Sequence, residues 1–86
     1  MQVIKRDGTV VDYDRAKIAV AIGKANAEME AQERASGEEI ESILSYIEGK
    51  KKKRMLVEDI QDIIEEKLME QGHYELAKTY IIYRYN

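Results

Sequence analysis

The side chains best placed for chemistry are two adjacent cations, Lys5 and Arg6, directly before Asp7-Gly8. Asp-Gly between two β-favouring runs, Val3-Ile4 and Thr9-Val10-Val11, is a strong hairpin signal, because Gly accepts positive φ without a Cβ clash. Two registers are open. A two-residue Asp7-Gly8 loop sets Lys5 across from Val10, whereas a three-residue Arg6-Asp7-Gly8 loop with a Gly bulge sets it across from Thr9. The second is preferred, since it gathers Val3, Val11 and Tyr13 on one face with Lys5 near the tip and leaves Ile4, Val10 and Asp12 on the other. A half-apolar surface that ends in a cation suits a ligand with a flat base and an anionic tail.

Covalent chemistry is poorly supplied. The chain has no Cys, which removes thiolate nucleophiles, disulfides and Cys-based metal centres together. Its only His, His73, adjoins Gly72 at an expected helix junction, where a capping or surface role is favoured over metal ligation. Ser36, Ser42 and Ser45 have no second His to pair with, and the carboxylates follow helix-surface spacing rather than forming an isolated pair. Neither a P-loop nor a GxGxxG fingerprint occurs. These absences point to a binding module with no catalytic residues of its own.

Eighty-six residues bound the answer to one small domain, taken as residues 1–86, with a shallow cleft at most. Five Gly, no Pro and 36% charged residues against 44% apolar ones describe an ordered, helix-rich chain. No apolar run is long enough to cross a bilayer and no signal-peptide core opens the chain, so a cytoplasmic setting without a membrane partner is expected. A net charge of −3 argues against broad nucleic-acid affinity.

Four helices must carry the hairpin. Asp14 is the expected N-cap of the first, whose stripe is Ile18, Ile22, Ala25 and Met29. Ala19, Ala21 and Gly23 allow close approach to its backbone, by a neighbouring helix in preference to a ligand. Glu28 to Arg34 reads as a helix end and loop. Ser36 with Glu39 forms a capping box opening the second helix, with Ile40, Ile43, Leu44 and Ile47 as its stripe and Gly49 as its stop. Lys50 to Arg54 is then a continuous basic run, read as a solvated connector in preference to a phosphate or nucleic-acid site. Met55-Leu56-Val57 could add a third strand. The third helix runs from Val57 to Gln71 on Ile60, Ile63, Ile64 and Leu68, with Glu58 and Asp59 in its first turn, and Gly72 closes it. A fourth helix from Glu75 carries Leu76, Tyr80 and Tyr83 on one line with Ala77 and Ile81 beside it. Tyr80, Tyr83 and Tyr85 fit core packing and base stacking about equally well.

Four segments in this order resemble the ATP-cone domain: Val3-Ile4-Lys5-Arg6-Asp7-Gly8, Tyr13-Asp14 followed by Lys17-Ile18, Val57-Glu58-Asp59-Ile60-Gln61, and Leu76-Ala77-Lys78-Thr79-Tyr80-Ile81-Ile82-Tyr83-Arg84. The resemblance covers nearly the whole chain. It implies an α+β fold in which a β-hairpin or small three-stranded sheet caps a four-helix bundle, with ATP or dATP bound beneath the hairpin as an allosteric ligand, Mg2+ accompanying the nucleotide. By matching position, Lys5, Arg6 and Lys17 resemble phosphate contacts, Val3, Ile18, Ile60 and Tyr83 the adenine walls, and Asp14 and Gln61 polar or ribose contacts. An acidic residue that some cones carry near Val11 has its nearest counterpart in Asp12.

Such cones regulate ribonucleotide reductases, in which ATP favours activity and dATP inhibits; others follow a zinc ribbon in a transcriptional repressor of reductase genes. The Tyr80 to Tyr85 wording is most similar to cones of anaerobic ribonucleoside-triphosphate reductases, so the implied partner is the catalytic domain of such a reductase. The alternatives are the repressor cone and a nucleic-acid-binding helical domain acting through Lys50 to Arg54. ATP and dATP differ by one hydroxyl, which at about 0.5 to 1.5 kcal/mol for a hydrogen bond falls short of the roughly 5.5 kcal/mol needed to invert a two-state population. A large switch is therefore expected to use nucleotide-dependent homo-oligomerisation, around Tyr80 and Tyr85 first and the hairpin tip second.

Overall fold

In a computed structural model, residues 1–84 are described: two strands, β1 (Gln2–Ile4) and β2 (Val10–Asp12), then α1 (Arg15–Ala27), α2 (Gly37–Gly49), β3 (Arg54–Leu56), α3 (Val57–Glu70) and α4 (Tyr74–Tyr83). A single 3-10 turn, Ala31–Glu33, interrupts the loop between α1 and α2. The expected α+β architecture is present. One small sheet caps four helices.

The hairpin adopts the bulged register. Val3 pairs with Val11 and Ile4 with Val10, and the Lys5 N–H donates to the Thr9 carbonyl at 2.8 Å. Gly8 takes φ +86°, its N–H closes onto the Lys5 carbonyl at 2.9 Å, and the Asp7 carboxylate accepts from the Thr9 N–H at 2.9 Å. The left-handed residue is thus the Gly that tolerates it. The strand order is β2-β1-β3, with β3 parallel to β1.

Two boundaries differ from expectation. Val57, read both as the last residue of a third strand and as the first of the third helix, belongs to α3 alone: sheet pairing ends at Ile4 opposite Leu56, and Glu58 and Asp59 in the next turn favour a helix N-terminus. Gly49 ends α2 in place, but the residue that turns left-handed is Lys51, at φ 52°. The N–H groups of Lys50 and Lys51 already satisfy the carbonyls of Ile47 and Glu48, so the helix closes without a glycine in that role. At the end of α3 the expectation holds. Gly72, φ +86°, donates to Met69 while the His73 N–H reaches Leu68 at 2.8 Å, the paired bonds of a Schellman cap.

The core draws on every helix: Ile22 and Ala25, Ile43 and Ile47, Ile60, Ile64 and Leu68, Leu76, Ala77 and Tyr80, closed by Val3 and Met55 from the sheet. Tyr80, expected on an association surface, is 3% exposed. Its ring packs inward because it shares a helix face with Leu76 and Ala77. Tyr85 lies outside the described residues.

His73 does stand at the N-cap position of α4, where its carbonyl accepts from the Ala77 N–H at 3.0 Å, but its side chain neither caps the helix nor lies on the surface. Its Nε2 lies 3.0 Å from both carboxylate oxygens of Glu39, and the His side chain is 12% exposed. Glu39 also completes the capping box with Ser36, and its carbonyl accepts from Gln71 Nε2 at 3.1 Å. This cluster ties the start of α2 to the turn between α3 and α4.

Candidate functional site

α1 and α3 run away from the sheet and α2 and α4 run toward it, so the first turns of two helices and the last turn of α4 meet beneath the hairpin. Helix ends cannot pack as fully as helix middles. The space left there is a cavity of about 550 Å³.

The sheet supplies its roof through Val3, Lys5 and Val11. Asp14, Lys17, Ile18 and Ala21 of the α1 end, with Val57, Ile60 and Gln61 of α3 and Tyr80, Tyr83 and Arg84 of the α4 end, form the walls. Val3, Ile60 and Tyr80 are buried and give the interior an apolar lining. Burial pushes the Tyr80 phenol up to about 12, so it stays a neutral hydroxyl. Lys5 and Lys17 are exposed at the rim, and neither ammonium is held in an ion pair among the described residues. The site therefore combines apolar walls with two available cations.

Asp14 serves two ends. One carboxylate oxygen caps α1 by accepting from the Ala16 N–H at 3.0 Å, while the residue also lines the cavity. Tyr13 is oriented from behind: its hydroxyl donates to Glu48 at 2.7 Å, and Arg15 binds both Glu48 (2.9 Å) and Glu41 (2.8 Å). Burial, then the bond to Glu48, holds the Tyr13 phenol well above its ordinary pKa. Tyr83 is fixed likewise, donating to the Glu28 carboxylate at the end of α1, a bond that raises its pKa.

All the expected site residues except Arg6 line this cavity. Arg6, expected at phosphate, turns the other way: its guanidinium lies 3.4 Å from Glu58 and donates to Gln61 Oε1 at 3.3 Å. The tight turn carries it toward the acidic first turn of α3. It lines an adjoining groove of about 280 Å³ with Glu58, Gln61, Asp62 and Arg84. Gln61, 8% exposed, uses its other end as well, donating from Nε2 to the Arg84 carbonyl at 3.4 Å. It links the hairpin tip to the end of α4.

Sequence reasoning did not name Val11, Asp12, Tyr13, Ala21, Val57, Tyr80 and Arg84 as site residues, though all line the cavity. The register preferred for the hairpin already put Val11 and Tyr13 on the inner face with Val3, which was a usable signal. Arg84 offered none, because a cation at a helix C-terminus reads first as a dipole complement. Here its guanidinium pairs with Glu65, the two side chains being 15% and 17% exposed. Desolvation raises the Glu65 pKa, and the nearby Arg84 charge opposes that rise.

The basic run lies elsewhere. None of Lys50 to Arg54 lines the cavity, and Lys50 and Lys67 both lie against the Tyr46 ring, 5.0 and 4.0 Å from its centroid. Among the described residues no group of three or more His, Cys, Asp or Glu could hold a metal, and no helix is long and apolar enough to cross a membrane.

A family model described as "ATP cone domain" matches residues 1–86. The chain is 38% identical, over 98% of its length, to a ribonucleoside-diphosphate reductase subunit alpha of Chlamydia trachomatis. It is 36% and 35% identical, each over 96% of its length, to vitamin B12-dependent ribonucleoside-diphosphate reductases of Thermoplasma acidophilum and Mycobacterium tuberculosis. It spans only 9 to 12% of the length of these relatives. They are diphosphate reductases, whereas the wording of the α4 end resembled triphosphate reductases.

Proposed function

We propose, from the premise that the chain belongs to the ATP-cone family, that it binds ATP or dATP in the cavity beneath the hairpin and acts as an allosteric regulatory module of a ribonucleotide reductase. The observation that supports this best is the pairing of an apolar interior with Lys5 and Lys17 at its rim. A volume of about 550 Å³ falls in the range of small-molecule sites, roughly 300 to 1,000 Å³. The purine lies among Val3, Ile18, Ile60 and Tyr83, and the polyphosphate runs to Lys5 and Lys17, where the α1 N-terminus adds positive potential. Asp14 contacts the ribose. Gln61 acts from behind, since both ends of its amide are engaged with Arg6 and Arg84. Mg2+ enters with the nucleotide, most of its ligands being phosphate oxygens and water, with Asp14 nearby.

The parent is a ribonucleoside reductase of the cytoplasm. Assaying it with ribonucleoside di- and triphosphates separates the class of the relatives from the class that the α4 ending resembles. Calorimetric or NMR titration with ATP, dATP and a short DNA duplex tests the binding reading. Shifts confined to Val3, Lys5, Lys17, Ile18 and Tyr83 with either nucleotide are expected; shifts at Lys50 to Arg54 with the duplex alone would replace the nucleotide reading by a nucleic-acid one. Sedimentation with each nucleotide tests homo-oligomerisation, for which Tyr85 and the hairpin tip are the surfaces left to test, Tyr80 being in the core.

A further inference from the structure

We propose that the outer face of the three-stranded sheet is a docking surface for the catalytic body of the parent reductase, which senses the state of the cavity through the sheet. The inference rests on the nucleotide-binding reading above. Pairing of Ile4 with both Val10 and Leu56 sets three aliphatic side chains in one row across all the strands. Alternation sends this row to the face opposite Val11, Val3 and Met55. Exposure separates the faces on β1 and β3, where Val3 and Met55 are 8% and 5% exposed while Ile4 is half-buried and Leu56 49% exposed; on β2 it does not, since Val10 is 42% exposed on the outer face and Val11 41% exposed over the open cavity. A sheet with one solvated side normally carries polar residues there. The next outer row obeys that rule, with Asp12, Gln2 and Arg54 side by side and Arg54 Nε donating to Gln2 at 2.9 Å. Val10, Ile4 and Leu56 break it.

The size of the patch selects the occupant. Three aliphatic side chains fall well short of the roughly 1,000 Å² that a lasting interface between free molecules buries, so a second copy is poorly matched. A partner on the same polypeptide meets the patch at an effective concentration of about millimolar and needs much less area. The relatives place some nine-tenths of their length outside the region this chain matches, which is ample for such a body. Exposed Lys51, Lys52, Lys53 and Arg54 border the polar row, so the matching rim of the partner is acidic.

The sheet is one residue thick. Lys5 and Val11 face the cavity while their chain neighbours Ile4 and Val10 face the partner, so a ligand that shifts the inner side chains alters the docking row. Docking must then change nucleotide affinity by the factor through which nucleotide changes docking.

The test is the double variant Val10→Asp, Leu56→Asp in the intact reductase polypeptide, with a photo-cross-linker at position 10 and a control at position 38 in α2. Expected are a folded 86-residue chain with nucleotide affinity within about twofold of the parent, at least a tenfold smaller response of reductase activity to dATP, and cross-links from position 10 alone. An undiminished dATP response, or equal cross-linking from both positions, overturns the proposal. A concentration-dependent dimer of the isolated chain that the variant abolishes assigns the face to a second copy and also overturns it. An unsubstituted chain that binds no adenine nucleotide, yet cross-links from position 10, removes the nucleotide reading and leaves the docking face standing.

Discussion

The two ends of the helix bundle are built to different rules. At the end away from the sheet, hydrogen bonds join Ser36, Glu39, Gln71 and His73, leaving only the buried Gln71 Oε1 of this group without a partner among the described residues, and a Schellman turn closes α3 onto α4. At the sheet end, helix termini converge without filling the space; Val11 stays 41% exposed over a cavity, and the two lysines at its rim have no ion-pair partner among the described residues. Between them lie Ile22, Ile47, Ile64, Leu68 and Leu76, all fully buried. One end is closed by helix caps packed on one another, the other is left open over a cavity, and a ligand can fill only the open end.

The contrast breaks most visibly in the middle. Ile64→Ala leaves a cavity in the strongest part of the core and should cost about 2 to 5 kcal/mol, read by urea denaturation. An unchanged midpoint would show that α3 does not organise the bundle. At the sheet end the same method should register little for Lys5→Ala or Lys17→Ala, but adenine-nucleotide affinity should fall about ten- to a hundredfold, since a charge-assisted phosphate bond contributes roughly 1.5 to 3 kcal/mol. Lys52→Ala is the control. Equal losses at all three positions would move the site to the basic run.

How much of this was legible depends on the range over which each feature is determined. The hairpin register, the caps at Asp14 and Ser36 and the stripes of α2 and α3 are local, set by a turn glycine, a side chain three residues from its partner or a repeat of three and four, and all appear as read. The site was legible where alternation or helix phase fixed which face a residue occupied, as for Val3, Lys5, Lys17 and Ile18. Arg6 was not: one backbone step from Lys5, its direction depends on Glu58 and Gln61, more than fifty positions away in sequence. His73 with Glu39 and Arg84 with Glu65 are equally non-local, pairs chosen by helix packing with no trace in spacing.

The closed end yields a smaller effect. Ser36→Ala removes the hydroxyl that accepts from the Glu39 N–H at 3.1 Å and should cost about 1 kcal/mol. Its partner gives a pH signature. The Ser36 backbone N–H, then His73, hold the Glu39 carboxyl below its ordinary value of 4.5. A carboxyl depressed by folding contributes stability that is present above 4.5 and lost as pH falls through the depressed folded value. Thermal melts from pH 7 downward should therefore show a smaller acid loss for Glu39→Gln than for the unsubstituted chain. Parallel curves would mean that the cluster at this end is geometrically closed but electrostatically idle.

The smallest expected change compares the exits of α2 and α3. α3 leaves through Gly72 at φ +86°, where a side chain would be strained, while α2 leaves through Lys51 at φ 52°, where one already is. An L-residue in that region costs about 1 to 2 kcal/mol, and a glycine avoids it while adding roughly 0.5 to 1 kcal/mol of unfolded-state entropy. Lys51→Gly should thus stabilise the domain by a few tenths to about 1 kcal/mol, and Gly72→Ala should destabilise it. Nucleotide affinity should not move with Lys51→Gly, because the residue is exposed and outside the cavity. If Lys51→Gly instead lowers stability, the Lys51 side chain makes a favourable interaction that outweighs its backbone strain, and the connector into β3 is part of the sheet-end architecture rather than a passive link.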